Sequence, residues 1–367
     1  MGILQPIWDG TFVYREPVCF SADKDGRPTG GTLLYQPEEI LSVTSFDGSV
    51  FYQPVRDYTA NGRQLVRTEA SRIPYLERSV YCKPFTGVPE TAWVRLSGGK
   101  AYMEVVSDVY RWQTLVTYTH RDKWAGFQPK TCGESLPRSM EKLRAGGDFH
   151  LTLYGDSITA GWEASGCNER AIDMVTLGEY HVSLWHAPYQ PAWAELVTNA
   201  LQARYPQSNM IKTNRAAGGS TVQWGVEHAA ELVPPCKPDL IMLGFGMNSM
   251  QESAEDYRRA ILSIIRTIRK ECHDCEFVLM SPMIPNPEIK GFQNNQLPAQ
   301  QDVLYQIAAE LEGVCIAPVH SVFREMTARG KHYLELTGNC INHPNDFSVR
   351  VYAQTVLRTL GVDGNDG

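Results

Sequence analysis

From Phe149 onward, five short apolar runs are each followed by a loop and a helix-period stretch. The runs are Phe149–Tyr154, Met210–Thr213, Leu240–Phe245, Glu276–Met280 and Val314–Val319. Amphipathic segments lie at Pro191–Arg204, Val222–Val233, Ala254–Glu271 and Pro298–Leu311, and a last one at Asp346–Leu360. Largely apolar strands joined by amphipathic crossovers predict a parallel sheet covered by helices on both faces, since a strand buried on both sides has no polar face to alternate. A short helix over Leu136–Leu143, stopped by Gly146-Gly147, precedes the first strand.

The first 120 residues or so follow a different rhythm. Short apolar runs such as Val43-Thr44-Ser45-Phe46, Ala92-Trp93-Val94-Arg95-Leu96, Met103-Glu104-Val105-Val106 and Thr114-Leu115-Val116-Thr117-Tyr118 sit between turn signals, among them Asn61-Gly62-Arg63 and Ser97-Gly98-Gly99. Alternation over several short strands predicts a β-sandwich or jelly roll. The expected organisation is a β-rich domain over 1–135 and an α/β domain over 136–367.

The composition narrows the function. The 367 residues carry a formal charge of -7 and no basic block, which argues against a nucleic-acid partner. No run of 18 apolar residues offers a membrane span or an intact signal peptide. Nine cysteines, an odd number widely scattered, predict thiols in a reducing compartment. The expected location is cytoplasmic, or secreted where a signal peptide was removed before residue 1. Cys272-His273-Asp274-Cys275 has redox or zinc spacing but no second pair, so a structural role is expected, with no metal and no cofactor.

The chemistry gathers in four loops at the carboxyl ends of the predicted strands, where a parallel sheet builds its sites. The first runs Gly155-Asp156-Ser157-Ile158-Thr159 and offers a hydroxyl. The second is Asn214-Arg215-Ala216-Ala217-Gly218-Gly219-Ser220-Thr221, and the third Gly244-Phe245-Gly246-Met247-Asn248-Ser249. The fourth, Asn339-Cys340-Ile341-Asn342-His343-Pro344-Asn345-Asp346, offers a base. A serine hydroxyl is weak at neutral pH and needs such a base to take its proton.

In this order and strand context the blocks GDSIT, NRAAGGST, GFGMNS and NHPND resemble those of the GDSL esterase/lipase group, also called SGNH hydrolases, over roughly Leu143 to Leu360. The resemblance implies an acyl-ester hydrolase with a three-layer α/β/α sandwich. By motif position it implies Ser157 as nucleophile and His343 as general base. The oxyanion hole would then draw on the backbone N–H of Ser157 and Gly219 and the side-chain amide of Asn248. Fixed donors of this kind stabilise the charge on the tetrahedral intermediate. The sequence departs from the family pattern twice. Ser249 replaces the Asp of the third block, and Cys340 stands where the family usually has an Asp three residues before the histidine. Glu335 and Asp346 are the nearby carboxylates, and Asp156 is expected to bond its own loop. The expectation is a Ser–His dyad, with His343 oriented by a backbone carbonyl or a neutral side chain.

A long insertion, read as a loop, runs from Gly161 to Tyr189 and carries Trp162, Trp185, His186 and Tyr189, and Trp224 follows the second loop. Trp162, Trp185 and Trp224 are the candidates to stack on sugar rings; the alternative is that these rings pack the insertion against the body. With the β-rich N-terminal part, the architecture resembles two-domain carbohydrate acetylesterases that join a jelly roll to a GDSL domain. That resemblance implies removal of small acyl groups, acetyl above all, from xylo- or other oligosaccharides. The alternatives are a general short-chain carboxylesterase or lysophospholipase-like enzyme, and a non-catalytic carbohydrate-binding protein.

Overall fold

The computed structural model describes residues 3–23, 25–77, 107–289 and 291–362. The runs Ala92–Leu96 and Met103–Val106, the turn signal Ser97-Gly98-Gly99 and Cys82 lie outside the described residues. In the N-terminal part the strands are β1 (Phe12–Ala22), β2 (Pro28–Thr29), β3 (Pro37–Ser45), β4 (Tyr58–Asn61), β5 (Gln64–Arg67), β6 (Tyr75–Leu76) and β7 (Gln113–His120). They form an antiparallel sheet in the order β2-β1-β7-β3, with β6 added parallel to β1. A separate hairpin joins β4 to β5 through the Asn61-Gly62-Arg63 turn. These antiparallel sheets are of the β-sandwich type expected.

Helix α1 (Pro137–Ala145) leads into β8 (Gly147–Gly155), which is followed by the hairpin β9 (Gly166–Ile172) and β10 (Glu179–Trp185). Then come α2 (Trp193–Arg204), β11 (Ser208–Asn214), α3 (Val222–Leu232), β12 (Leu240–Gly244), α4 (Ala254–Arg269), β13 (Glu276–Met280), α5 (Leu297–Glu310) and β14 (Val314–Ala317). The chain closes with α6 (Val319–Ala328), the short α7 (Tyr333–Leu336) and α8 (Asp346–Leu360). The sheet is parallel, in the order β11-β8-β12-β13-β14, with β8 beside the central β12. Every residue of β12, β13 and β14 is buried. That matches their largely apolar sequence, interrupted by Glu276, whose carboxylate accepts from the Arg138 and Ser139 N–H groups, and requires cover on both faces. Helix, sheet and helix thus make the three-layer SGNH-type sandwich. The differences from expectation are local. Val314–Val319 is split, because Pro318 ends the strand and serves as the N-cap of α6. The Gly161–Tyr189 insertion is a hairpin rather than an open loop. Cys272 and Cys275 close the turn after α4, and burial pushes the Cys275 thiol up to about 12. No helix among the described residues is long and apolar enough to cross a membrane.

The N-terminal sheet grips the segment that runs from α6 to α8. Lys331 is buried between Glu16 of β1 and Glu335 of α7, at 3.0 and 3.3 Å, with all three side chains wholly out of solvent. Its Nζ also lies within hydrogen-bond reach of the Pro17 and Thr32 carbonyls, at 2.6 and 3.1 Å, so its three hydrogens are shared among four acceptors. The carboxylates are saturated too. Glu16 accepts from Leu34 N–H and the Tyr118 hydroxyl, while Glu335 accepts from the N–H groups of Cys19, Gly31 and His332. Such a network gives little net stabilisation over apolar packing, yet removing its cation strands two buried carboxylates. We expect Lys331→Met to lower the unfolding free energy by about 3–5 kcal/mol, measured by urea titration. A loss under about 1 kcal/mol would contradict this account of the contact.

Candidate active site

The first loop is built by a glycine at the end of β8. A Cβ on Gly155 would run into the Gly244 carbonyl and the Thr159 side chain, so no other residue lets β8 pass so close to β12 before it turns. Asp156 N–H donates to the Gly244 carbonyl, and the next turn closes with Trp162 N–H on the Ser157 carbonyl. Asp156 is buried and its carboxylate accepts from the N–H groups of Ile158 and Thr159. Burial raises its pKa to about 7 against those bonds. Asp156 therefore braces the loop that presents Ser157.

His343 arrives from the other end of the chain. Its Nε2 lies 2.7 Å from Ser157 Oγ, across 186 residues of sequence. Its Nδ1 lies 2.5 Å from Nδ2 of Asn339, a neutral side chain four residues upstream. The two nearby carboxylates are committed elsewhere. Glu335 is held by Lys331 and backbone N–H groups, and Asp346 accepts from the Ser165 N–H and hydroxyl at 2.9 and 2.7 Å. Burial with no facing carboxylate pushes His343 down to about 4.

The segment carrying His343 is fixed from both sides. Gln113, at the start of β7, donates to the Leu334 and Thr337 carbonyls and accepts from Asn345 Nδ2. Asn345 in turn caps α8 by accepting from Ser348 N–H. Neither Gln113 nor Asn339 was singled out from the sequence. A glutamine inside a β-rich run and an asparagine in a polar loop carry no local pattern that marks them.

The second and third loops meet beside Ser157's strand. Asn248 Nδ2 donates to the Ser220 carbonyl at 3.0 Å, which sets its amide against the loop that holds Gly219. Gly219 has a φ of +78°, a left-handed turn conformation that favours glycine. Ser249, where the family has Asp, accepts from Val222 N–H with its hydroxyl and so ties the third loop to the start of α3. The residue change keeps an acceptor where that helix needs one.

The aromatic candidates separate. The Trp162 ring lies 5.8 Å from the His343 ring and against Gly218. Trp185 is 64% exposed and pairs with Tyr189 on the outer hairpin. Trp224 is buried in the core with Tyr154, and its indole N–H faces the Met174 carbonyl. These surroundings are those of the packing alternative for this ring. A cleft of about 650 Å³ opens between the β3 end and the insertion, lined by Ser45, Phe46, Asp47, Tyr110, Arg111 and His186. The Tyr110 hydroxyl donates to the carbonyl of Glu163, the residue after Trp162.

Among solved structures, a two-domain esterase active on acetylated mannans, co-crystallized with mannopentaose, is 20% identical with a TM-score of 0.48. That match covers 64% of this chain and 55% of the other, so the chain spans little more than half the length of that relative. An acetylxylan esterase from Geobacillus stearothermophilus is 20% identical with a TM-score of 0.46, over 59% of this chain and 96% of the other. An α/β hydrolase enzyme from the metagenome of Lake Arreo, Spain, is 21% identical with a TM-score of 0.44, over 59% and 96%. No curated protein matches the sequence. The family model of the GDSL-like lipases and acylhydrolases matches residues 153–348, more than half of the chain, and takes in all four rim loops. The chain therefore belongs to the GDSL-like lipase/acylhydrolase family.

Proposed function

We propose that the chain is a serine esterase that removes acetyl groups from saccharides, with Ser157 as nucleophile and His343 as base. The observation that carries this reading is the 2.7 Å contact between Ser157 Oγ and His343 Nε2 at the carboxyl rim of a parallel sheet. Oγ attacks the ester carbonyl carbon as its proton passes to Nε2. The carbonyl oxygen, now negative, is received by the N–H groups of Ser157 and Gly219 and by the Asn248 amide. The tetrahedral intermediate collapses and the sugar oxygen leaves with the proton from Nε2. Water then repeats the sequence on the acyl-enzyme and releases acetate.

The saccharide half of the proposal draws on the ground beside this pair. Trp162 supplies an aromatic face next to His343. A cleft tied to the Trp162 loop through the Tyr110–Glu163 hydrogen bond combines the Phe46, Tyr110 and His186 rings with the Asp47 and Ser45 side chains, a mixture that suits pyranose faces and hydroxyls. Because one wall of the cleft is N-terminal and the other belongs to the insertion, we take 1–135 and 136–367 as two units that shape one substrate path.

Ser157→Ala should abolish hydrolysis of p-nitrophenyl acetate, and rapid quenching of the wild type should place an acetyl group on Ser157 by mass spectrometry. Wild-type turnover by the alanine variant overturns the assignment, and sugar binding without turnover would favour a non-catalytic binding protein. Asn248→Ala should lower kcat by about 10²–10³ with a folded spectrum retained. Acetate release from acetylated xylo- and manno-oligosaccharides should exceed hydrolysis of octanoyl esters; the reverse order points to a general esterase. The pH profile carries a further sign. Since His343 stays neutral down to about 4, kcat/KM should hold from pH 7 towards 5 and fall only as the pH approaches 4. An acid limb near 6.5 would show an unperturbed base.

A further inference from the structure

The donor and acceptor count at Asn339 fixes more than the orientation of a ring. Its Oδ1 accepts from the N–H groups of Ile341, Asn342 and His343, at 2.9, 3.0 and 3.1 Å. Turning the amide over would set its NH2 group against three N–H donors, so the assignment of oxygen and nitrogen follows from the backbone. Nδ2 therefore faces His343 Nδ1 at 2.5 Å, and its other hydrogen reaches towards Asn342 Oδ1 at 3.4 Å. An amide nitrogen donates and cannot accept. Nδ1 must then offer its lone pair, and a neutral imidazole with a bare Nδ1 carries its proton on Nε2.

We infer that Asn339 is a positioning residue that holds His343 in the Nε2–H tautomer, so that in the resting site the imidazole donates to Ser157 instead of accepting from it. The inference rests on the reading of Ser157 and His343 as the reacting pair. To take the Ser157 proton, the ring must first move its own proton from Nε2 to Nδ1, where it meets an NH2 group and no acceptor. The imidazolium formed during attack meets the same donor. The low pKa of His343 accords with this, since its charged form gains no partner. In a Ser-His-Asp hydrolase, exchanging the acid for its amide lowers kcat by about 10⁴ through the wrong tautomer. Asn339 builds that condition into this chain, and Asn339→Asp relieves it: one oxygen keeps the three N–H groups and the other accepts from Nδ1–H, leaving the Nε2 lone pair towards Ser157.

The test reads the tautomer directly, by long-range ¹H–¹⁵N correlation on the ring of His343 in the full ¹⁵N-labelled chain at pH 7, assigned with His343→Gln. The wild type should show a protonated Nε2 and a bare Nδ1, and N339D the reverse. N339D should also raise kcat on p-nitrophenyl acetate at least ~10-fold and move the acid limb of kcat/KM upward from about 4. A wild-type ring protonated at Nδ1 overturns the inference, as does a tautomer that N339D leaves unchanged. If N339D does not fold, the wild-type spectrum alone decides. If the tautomer switches while neither protein hydrolyses any ester, the inference about Asn339 stands and the esterase reading fails.

Discussion

The structure turns on the burial of Lys331 between Glu16 and Glu335. A lone ammonium cannot stay out of water, and two carboxylates cannot share a dry space without it. Each end of the arrangement therefore demands the other, and the demand joins β1 to α7. Gln113 extends the joint by occupying the Leu334 and Thr337 carbonyls. From there the chain has only six residues, Thr337 to Asn342, before it presents His343. The N-terminal sheet thus serves the site without contributing a reacting atom. It sets the entry angle of the segment whose imidazole must meet Ser157.

Much of the α/β part could be read from the sequence because β12, β13 and β14 are buried along their whole length. That constraint produces largely apolar runs, and the runs for β12 and β13 fall within a residue of their structural limits. The glycine of the first loop has a comparably plain cause, since Gly155 allows β8 and β12 to approach. Elsewhere one residue answered to two readings. Trp224 reads as a rim aromatic from its place after the second loop or as a packing residue, and it lies in the core against Tyr154. The insertion reads as a loop because β10 alternates exposed and half-buried positions, leaving no strong apolar signal for a strand lying over the surface.

The residues that orient His343 were less legible for a different reason. Their partners are backbone groups and distant side chains, and a single sequence carries no mark of either. Gln113 meets Asn345 across 232 residues. Asn339 serves three successive N–H groups that converge only when the loop has closed. A search for a charged partner by spacing looks three residues before the histidine and finds Cys340, a thiol.

Cys340 also shows how the loop came to use its neighbour. Its φ of +61° is left-handed, a conformation that costs a residue with a side chain about 1–2 kcal/mol. The strain is held by the ring of contacts that follows from it, since the turn at Cys340 brings the N–H groups of Ile341, Asn342 and His343 onto one oxygen of Asn339. An oxygen that already gathers three donors cannot also serve the imidazole, and the remaining atom of an amide is a donor. The same turn that steadies His343 in position thus determines which of its nitrogens is bare. Position and protonation are set by one side chain, and a carboxylate there would satisfy both demands where an amide satisfies only the first.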